Sequence, residues 1–331
     1  MILTKASEIQ NFLPTSVSIS FDRLEPFFEV AENKYLKELF GLDFLDELNA
    51  YYAASTQSSK EMTKVLKLAQ RVVTYLAFFE GFDVLNVSIK DSGIFRVEDE
   101  NNKSLFNYQE KNLRDYFSKT GYNTIEDILE YMEANLTKFA TWANSGAYQD
   151  QREHLINTAK EFTKIYRPLK NSRLVFLNIL SDLQAAEDFD IKPILGEDLF
   201  EKLKDLVLDK DIEKPEFLEY KKLLPYVNKP LVYYTAVRCV KSLGANFTDK
   251  GLFFASFENT DKNFKRETQS TDKTLALIDG ATENARMYRE QLEEYLVTNK
   301  LKLPEYSDFI GDDEPTFDPT FDNTDKKIVR T

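Results

Sequence analysis

Cysteine and histidine are almost missing from this chain of 331 residues, which has one of each, Cys239 and His154. One cysteine excludes an intrachain disulfide framework, and one histidine excludes a multi-histidine metal site within a single chain. A Ser–His or Cys–His nucleophile would have to use His154, which follows the charged run DQRE and reads as an exposed linker histidine. Glycine is sparse as well, 10 residues in all, and neither G-x-G-x-x-G nor G-x-x-x-x-G-K-[ST] occurs; H-E-x-x-H is missing too. No apolar run approaches the ~18 residues of a membrane span. The opening MILTKASEIQNFLP turns polar too soon to make a good signal peptide. Basic residues are outnumbered by acidic ones, and the net charge of −13 argues against wrapping nucleic acid, whose affinity comes from neutralised phosphates. It leaves open a protein through which DNA slides without sticking. What the chain does have is core material, with 42% apolar residues including 26 Phe and 17 Tyr.

That material is arranged twice. Ala31 to Leu48 reads AENKYLKELFGLDFLDEL, and Ala186 to Leu203 reads AEDFDIKPILGEDLFEKL. Six positions are identical without a gap, among them Ala31/Ala186, Glu32/Glu187, Gly41/Gly196, Asp43/Asp198 and Leu48/Leu203. About one identity would arise by chance, so the pattern is a duplicated unit. Each copy predicts a helix ended by a glycine with positive φ, then a second helix capped by Asp43 or Asp198.

The copies extend outward from this corner. LTKASEIQNF at 3–12 answers INTAKEFTKI at 156–165. A helix from Ser20 carries Leu24, Phe27, Phe28, Ala31 and Tyr35 on one face, with Pro26 bending or delaying its start. A long helix over about 60–82 has its counterpart at 216–243, where Pro225 and Pro230 should split the beginning. Alternating segments at 84–97 and 247–257 predict one hairpin per copy. Helices at 108–117 and 124–139 close the first copy and one at 274–299 the second, with Trp142 in a polar connection between the copies. The expected architecture is therefore mainly α: two tandem helical repeat domains, 1–148 and 149–300, each with a short β-hairpin after its long helix. Residues 301–331 form an extended acidic and aromatic tail, kept extended by Pro304, Pro315 and Pro319. Tyr306, Phe309, Phe317, Phe321 and Ile328 are its candidate partner contacts.

Little else suggests chemistry. Cys239, among Ala236, Val237 and Val240, reads as a core thiol. Glu187, Asp188 and Asp190 read as helix surface, and Asp312-Asp313-Glu314 lacks a calcium loop's glycine turn and terminal Glu. Lys60, Lys64, Lys67 and Arg71 recur at i, i+4, i+7 and i+11, one basic stripe opposite the long helix's apolar face. Such a stripe can be a solvated face, a contact for an acidic neighbouring subunit, or a DNA contact. No catalytic residue, cofactor or metal is expected, and the chain reads as not an enzyme. A hydrolase using surface carboxylates is the least favoured class.

Several segments together, in this order, resemble a known family: T-K-A-S-E-I, A-E-x-x-Y-L-x-x-L-F-G-x-D-F-L-D-E-L, V-S-I-K-D-S-G-I-F, F-A-T-W-A-N-S-G-A-Y, I-N-T-A-K-E-F and N-T-D-K-K-I. They are similar to an uncharacterised family of structural proteins from Bacteroides-type tailed phages and prophages, including crAss-like phages. The resemblance implies a head–tail connector (adaptor) role in the virion neck, assembled in the host cytoplasm. There the protein would form a homo-oligomeric ring, twelve-fold by family analogy, below the portal. Portal and tail or neck proteins would be its partners, DNA would pass through the lumen without tight binding, and no membrane is involved. The alternative is a cytosolic two-domain protein-interaction module without ring assembly.

Overall fold

The computed structural model describes residues 1–14, 20–54, 56–85, 87–90, 93–96, 105–243, 246–248, 251–253 and 271–311. The chain divides into two compact units, the first Met1–Arg152 with Asn171–Leu177, the second Glu153–Lys170 with Asn178–Thr331.

In the first unit, α1 (Phe21–Ala31) runs into a wide π turn at Glu32–Leu36 and a short helix Lys37–Phe40. Gly41 then turns the chain into α2 (Leu42–Ala53). The long α3 (Lys60–Glu80) begins where Ser59 Oγ accepts the Met62 N–H at 3.2 Å, a standard N-cap. It pairs with α4 (Asn107–Ala134), and α5 (Ala140–Ala143) closes the unit. Spacing of three and four residues along α3 buries Val65, Ala69, Val72, Val73 and Leu76 against Ile125, Ile128 and Met132 of α4, all 1% exposed or less. Each of these side chains larger than alanine contributes about 1.5–3 kcal/mol of transfer free energy.

The second unit repeats this order. A helix α6 (Leu180–Ala186) leads into a π turn at Glu187–Ile191, then Gly196, α7 (Glu197–Leu208), the long α8 (Leu218–Leu243) and α9 (Thr271–Thr298). Core positions match pair by pair: Leu24/Ile179, Phe28/Leu183, Ala31/Ala186, Leu36/Ile191, Phe40/Leu195, Phe44/Leu199 and Leu48/Leu203 are all 3% exposed or less. Both π turns fall on the duplicated stretch, and both place its glutamate inside. Glu32 Oε2 accepts the Ile2 N–H at 2.9 Å, with the Met1 ammonium 3.5 Å from Oε1. Glu187 accepts the Leu155 N–H at 2.7 Å and meets His154 Nδ1 at 2.8 Å.

Seven expectations need correction. The glycines occupy φ 73°, ψ 164° and φ 80°, ψ 159°, a region nearly exclusive to glycine, and they are themselves the N-caps. Asp43 and Asp198 sit instead in the first helical turn, where the helix dipole favours their charge. The two expected closing helices of the first unit are one helix of 28 residues. Gly121 in its middle does not break it. A Cβ there would lie 2.4 Å from Leu76 Cδ2, so glycine permits the close approach of α3 and α4. Pro225 and Pro230 lie within a continuous α8 rather than splitting it. His154 and Glu187, expected outside, are buried at 8% and 1% exposure because each satisfies the other. Trp142 is core as well, 1% exposed, its Nε1–H donating to the Leu39 carbonyl at 3.1 Å.

The sixth correction concerns fold class. The mainly α expectation stands, but among the described residues the strands form two separate two-stranded ribbons outside the packed body of each unit, which is helical. They pair Val87–Lys90 with Gly93–Arg96 and Asn246–Thr248 with Gly251–Phe253. Nor is the described part of 301–331 extended. Asn299 Nδ2 donates to the Tyr295 carbonyl at 3.0 Å, as Asn135 Nδ2 does to Tyr131 at 2.8 Å. A single 3-10 turn follows in each copy, Lys300–Lys302 and Leu136–Lys138, then buried Leu303 or Phe139, then a short helix. In the second unit that helix is α10 (Pro304–Ile310). Its Tyr306, 6% exposed, stands where Trp142 stands in the first unit. Phe309 lies against Gly196 as Ser145 lies against Gly41. The first part of the expected tail is therefore the closing element of the second repeat.

Candidate functional site: a basic cleft on the first unit

The buried ionisable groups of both units are used by the fold. Glu32 and Glu187 hold backbone N–H groups, and Tyr35 donates to Glu80 at 2.5 Å beside Lys34 at 2.7 Å. Burial tends to raise the Glu80 carboxyl, but the hydrogen bonds from Lys34 and Tyr35 outweigh it and hold the group below the usual range. Burial, helped by the Asp182 carboxylate, pushes the Cys239 thiol up to about 12, the environment of a packed thiol rather than a nucleophile. Among the described residues no group of three or more His, Cys, Asp or Glu is placed to hold a metal ion. No described helix is long and apolar enough to cross a membrane.

Concave polar surface with charge to spare lies on α3. Lys64, Lys67 and Arg71 line an open cleft of about 360 Å³ together with Leu68, Tyr75, Asn11 and Phe12. The periodicity of α3 sets the wall: Val65, Ala69, Val72 and Val73 turn inward, which leaves the cations outward, successive ones one helical turn apart. The opposite rim comes from the opening segment, anchored where Tyr75 Oη donates to the Phe12 carbonyl at 2.9 Å and Gln70 Nε2 to the Ile2 carbonyl at 2.8 Å. Burial and the neighbouring Tyr116 push the Tyr75 hydroxyl up to about 12, so it stays a neutral donor. Lys64 Nζ stands 3.9 Å above the Tyr131 ring, and the Arg71 guanidinium 5.7 Å from the Tyr75 ring. No described acidic group lies within 4.0 Å of the charged ends of Lys60, Lys64, Lys67 or Arg71. The cleft can thus accept an anionic group on its cations and an aromatic or aliphatic side chain on Phe12, Leu68 and Tyr75.

The second unit does not repeat the site. Aligning the long helices on buried Val65 with Leu223 and Val73 with Leu231 puts Lys222, Pro225 and Lys229 where the first unit has Lys64, Lys67 and Arg71. Lys222 is neutralised by Glu219 at 2.6 Å, proline replaces the central lysine, and Lys229 stands over the Tyr288 ring.

Of the sequence-derived candidates, Lys64, Lys67 and Arg71 meet at the cleft, while Lys60 is exposed one turn earlier and does not line it. Tyr306 and Phe309 belong to the second unit. Phe317, Phe321 and Ile328 lie outside the described residues. Leu68 and Tyr75 were not among the candidates, although each stands four residues after a cation of the stripe, a spacing that could have found them. Asn11 and Phe12 carry no local signal, since only tertiary packing brings them there.

Fold and site together define a duplicated helical protein whose copies differ in one exposed basic cleft. The chain belongs to the Family of unknown function (DUF6712), which matches residues 36–152 and 191–312. The two matched segments begin at Leu36 and Ile191, paired positions of the repeat. No curated protein and no solved structure matches the chain.

Proposed function

We propose that this protein is a two-domain interaction module whose first unit receives an acidic, aromatic-containing protein segment in the Lys64/Lys67/Arg71 cleft. The observation that carries this reading is three cations without described acidic neighbours, set around an apolar floor on a chain of net charge −13. Among the described residues, the buried Glu32, Glu187 and Glu80 are engaged in holding the fold, and the cleft's cations favour a binding role. A protein segment suits the site better than DNA: the acidic chain repels a polyanion, and the floor favours side chains.

The test is fluorescence anisotropy with a labelled Glu-rich peptide carrying two phenylalanines, beside duplex and single-stranded DNA. Three exposed ion pairs at about 0.5–1 kcal/mol each predict that Lys64→Glu/Lys67→Glu/Arg71→Glu weakens peptide binding roughly tenfold to hundredfold. Equal binding by both proteins, or tighter binding of either DNA, overturns the reading.

The virion-neck ring is a sharper proposal of the same kind, supported by the order of sequence motifs. A twelve-fold mass by light scattering would favour it, and a chain monomeric in the presence of portal protein would refute it.

A further inference from the structure

We propose that the cleft's occupant is the segment Asp312–Asp325 of a second copy of this chain, so that copies join tail into cleft. This rests on the reading of the cleft as a receptor for acidic segments. The sequence after Gly311 is DDEPTFDPTFDNTD: six acids, two phenylalanines four residues apart, and no cation before Lys326. It offers what the cleft lacks, carboxylates for Lys64, Lys67 and Arg71 and two rings for the floor of Phe12, Leu68 and Tyr75. The segment follows the last described element of the second unit. Gly311, at φ 71°, terminates α10 and donates its N–H to the Ser307 carbonyl at 3.0 Å. Fourteen residues reach up to about 45 Å when extended. Pro315 and Pro319 fix two backbone torsions and so reduce the entropy lost on docking.

The asymmetry of the repeat gives the contact a direction. Among the described residues the basic cleft lies on the first unit, Glu219 and Pro225 replace its pattern at the equivalent positions of the second, and the acidic segment follows the last described element of the second unit. Each copy therefore has one receptor and one ligand, a heterologous contact that closes into a ring or continues as a filament.

Complementation between full-length variants tests this. The cleft variant is Lys64→Glu/Lys67→Glu/Arg71→Glu, and the tail variant is Phe317→Ala/Phe321→Ala/Asp318→Lys/Asp322→Lys. Wild type should show a mass by light scattering that rises with concentration, and each variant alone should be monomeric. An equimolar mixture should form a one-to-one complex, because the cleft variant keeps a sound tail and the tail variant a sound cleft. Circular dichroism melting confirms that both variants fold, and Lys67→Ala alone should reduce self-association at least several-fold. A monomeric wild type at about 100 µM, or a mixture that forms no complex, overturns the proposal. The tail variant, its cleft open, is then titrated with the Glu-rich peptide: binding shows that the receptor reading survives the loss of self-docking, and no binding ends both.

Discussion

Deleting residues 301–331 should unfold the second unit at a lower temperature, whereas deleting only 312–331 should not. An extended appended tail, as the sequence pattern predicts for 301–331, would make the longer deletion harmless to stability, so the two truncations separate an appended tail from a closing element. The longer cut removes Leu303, fully buried, and Tyr306, 6% exposed. Each buries roughly 1.5–3 kcal/mol of apolar surface. It also removes Glu305, whose carboxylate accepts from Tyr220 Oη at 2.7 Å, for about 1 kcal/mol more. Together the loss is on the order of 4–7 kcal/mol. At about 2–4 °C per kcal/mol for a unit of this size, the melting temperature should fall by about 10–25 °C. Differential scanning calorimetry of the full chain and both truncations measures this, and Tyr306→Ala should reproduce roughly 3 kcal/mol of it. A longer truncation melting within about 2 °C of the full chain refutes the assignment of α10 as a closing element. So does a shorter truncation that melts as low as the longer one.

Gly41→Ala should cost about 1–3 kcal/mol from backbone strain alone, while Gly196→Ala should cost more, because its Cβ would lie 2.6 Å from the Phe309 ring. In urea melts, Phe309→Ala should recover part of the Gly196→Ala loss but none of the Gly41→Ala loss; additive losses would discount the ring contact. Glu187→Leu leaves the buried Leu155 N–H without its acceptor and should destabilise by about 1–3 kcal/mol or more, while Glu187→Gln keeps an acceptor and should cost less. Equal melting of the two would show that the N–H is satisfied elsewhere. Glu80 is held below its ordinary value of 4.5, so its stabilising contribution is present above about pH 4.5 and lost as pH falls through the folded value. The gap in melting temperature between wild type and Glu80→Gln should therefore shrink between pH 7 and pH 3; a gap that widens toward acid contradicts the assigned sign.

The duplicated corner was legible because glycine and apolar spacing report backbone and burial directly: Gly41, Gly196 and the leucines around them have one role each. The π turns were not: each begins at a glutamate whose burial rests on groups elsewhere in the chain, and Glu32 or Glu187 in isolation looks like any helix-surface acid. His154 misled for the same reason. Its burial depends on Glu187, far along the chain, and lone polar residues reveal nothing of distant partners. The closing element was hidden because its two versions share almost no residue types. Trp142 and Tyr306, or Ser145 and Phe309, become equivalent only when the Asn135 and Asn299 turns are superposed. At the site, the cations of α3 were visible as a stripe, but the opposing rim of Asn11 and Phe12 comes from tertiary packing, which has no period to read.

Comparing the two copies separates charge that folds the protein from charge that is available to a partner. In the first unit Glu80, on the long helix, holds Lys34 and Tyr35 just after the buried Glu32. At the matching place in the second unit the long helix supplies Arg238, and the π turn supplies Asp190, 2.8 Å away. The polarity is reversed and the location kept. The buried glutamates behave similarly: both accept a backbone N–H, but the second group beside the carboxylate is an ammonium in one copy and an imidazole in the other. A fold fixes where a charge must be met and leaves open which element carries which sign, so these pairs are scaffold. The α3 cleft follows neither rule. Its cations have no described acidic neighbour in the first unit, and in the second the corresponding Lys222 is neutralised and the central position is proline. Packing does not demand that difference, because the buried face of the long helix is matched in both copies. On the proposed reading, this charge, which has no described acidic neighbour, is available to something outside the unit, and a partner that fits it brings negative charge and apolar surface together.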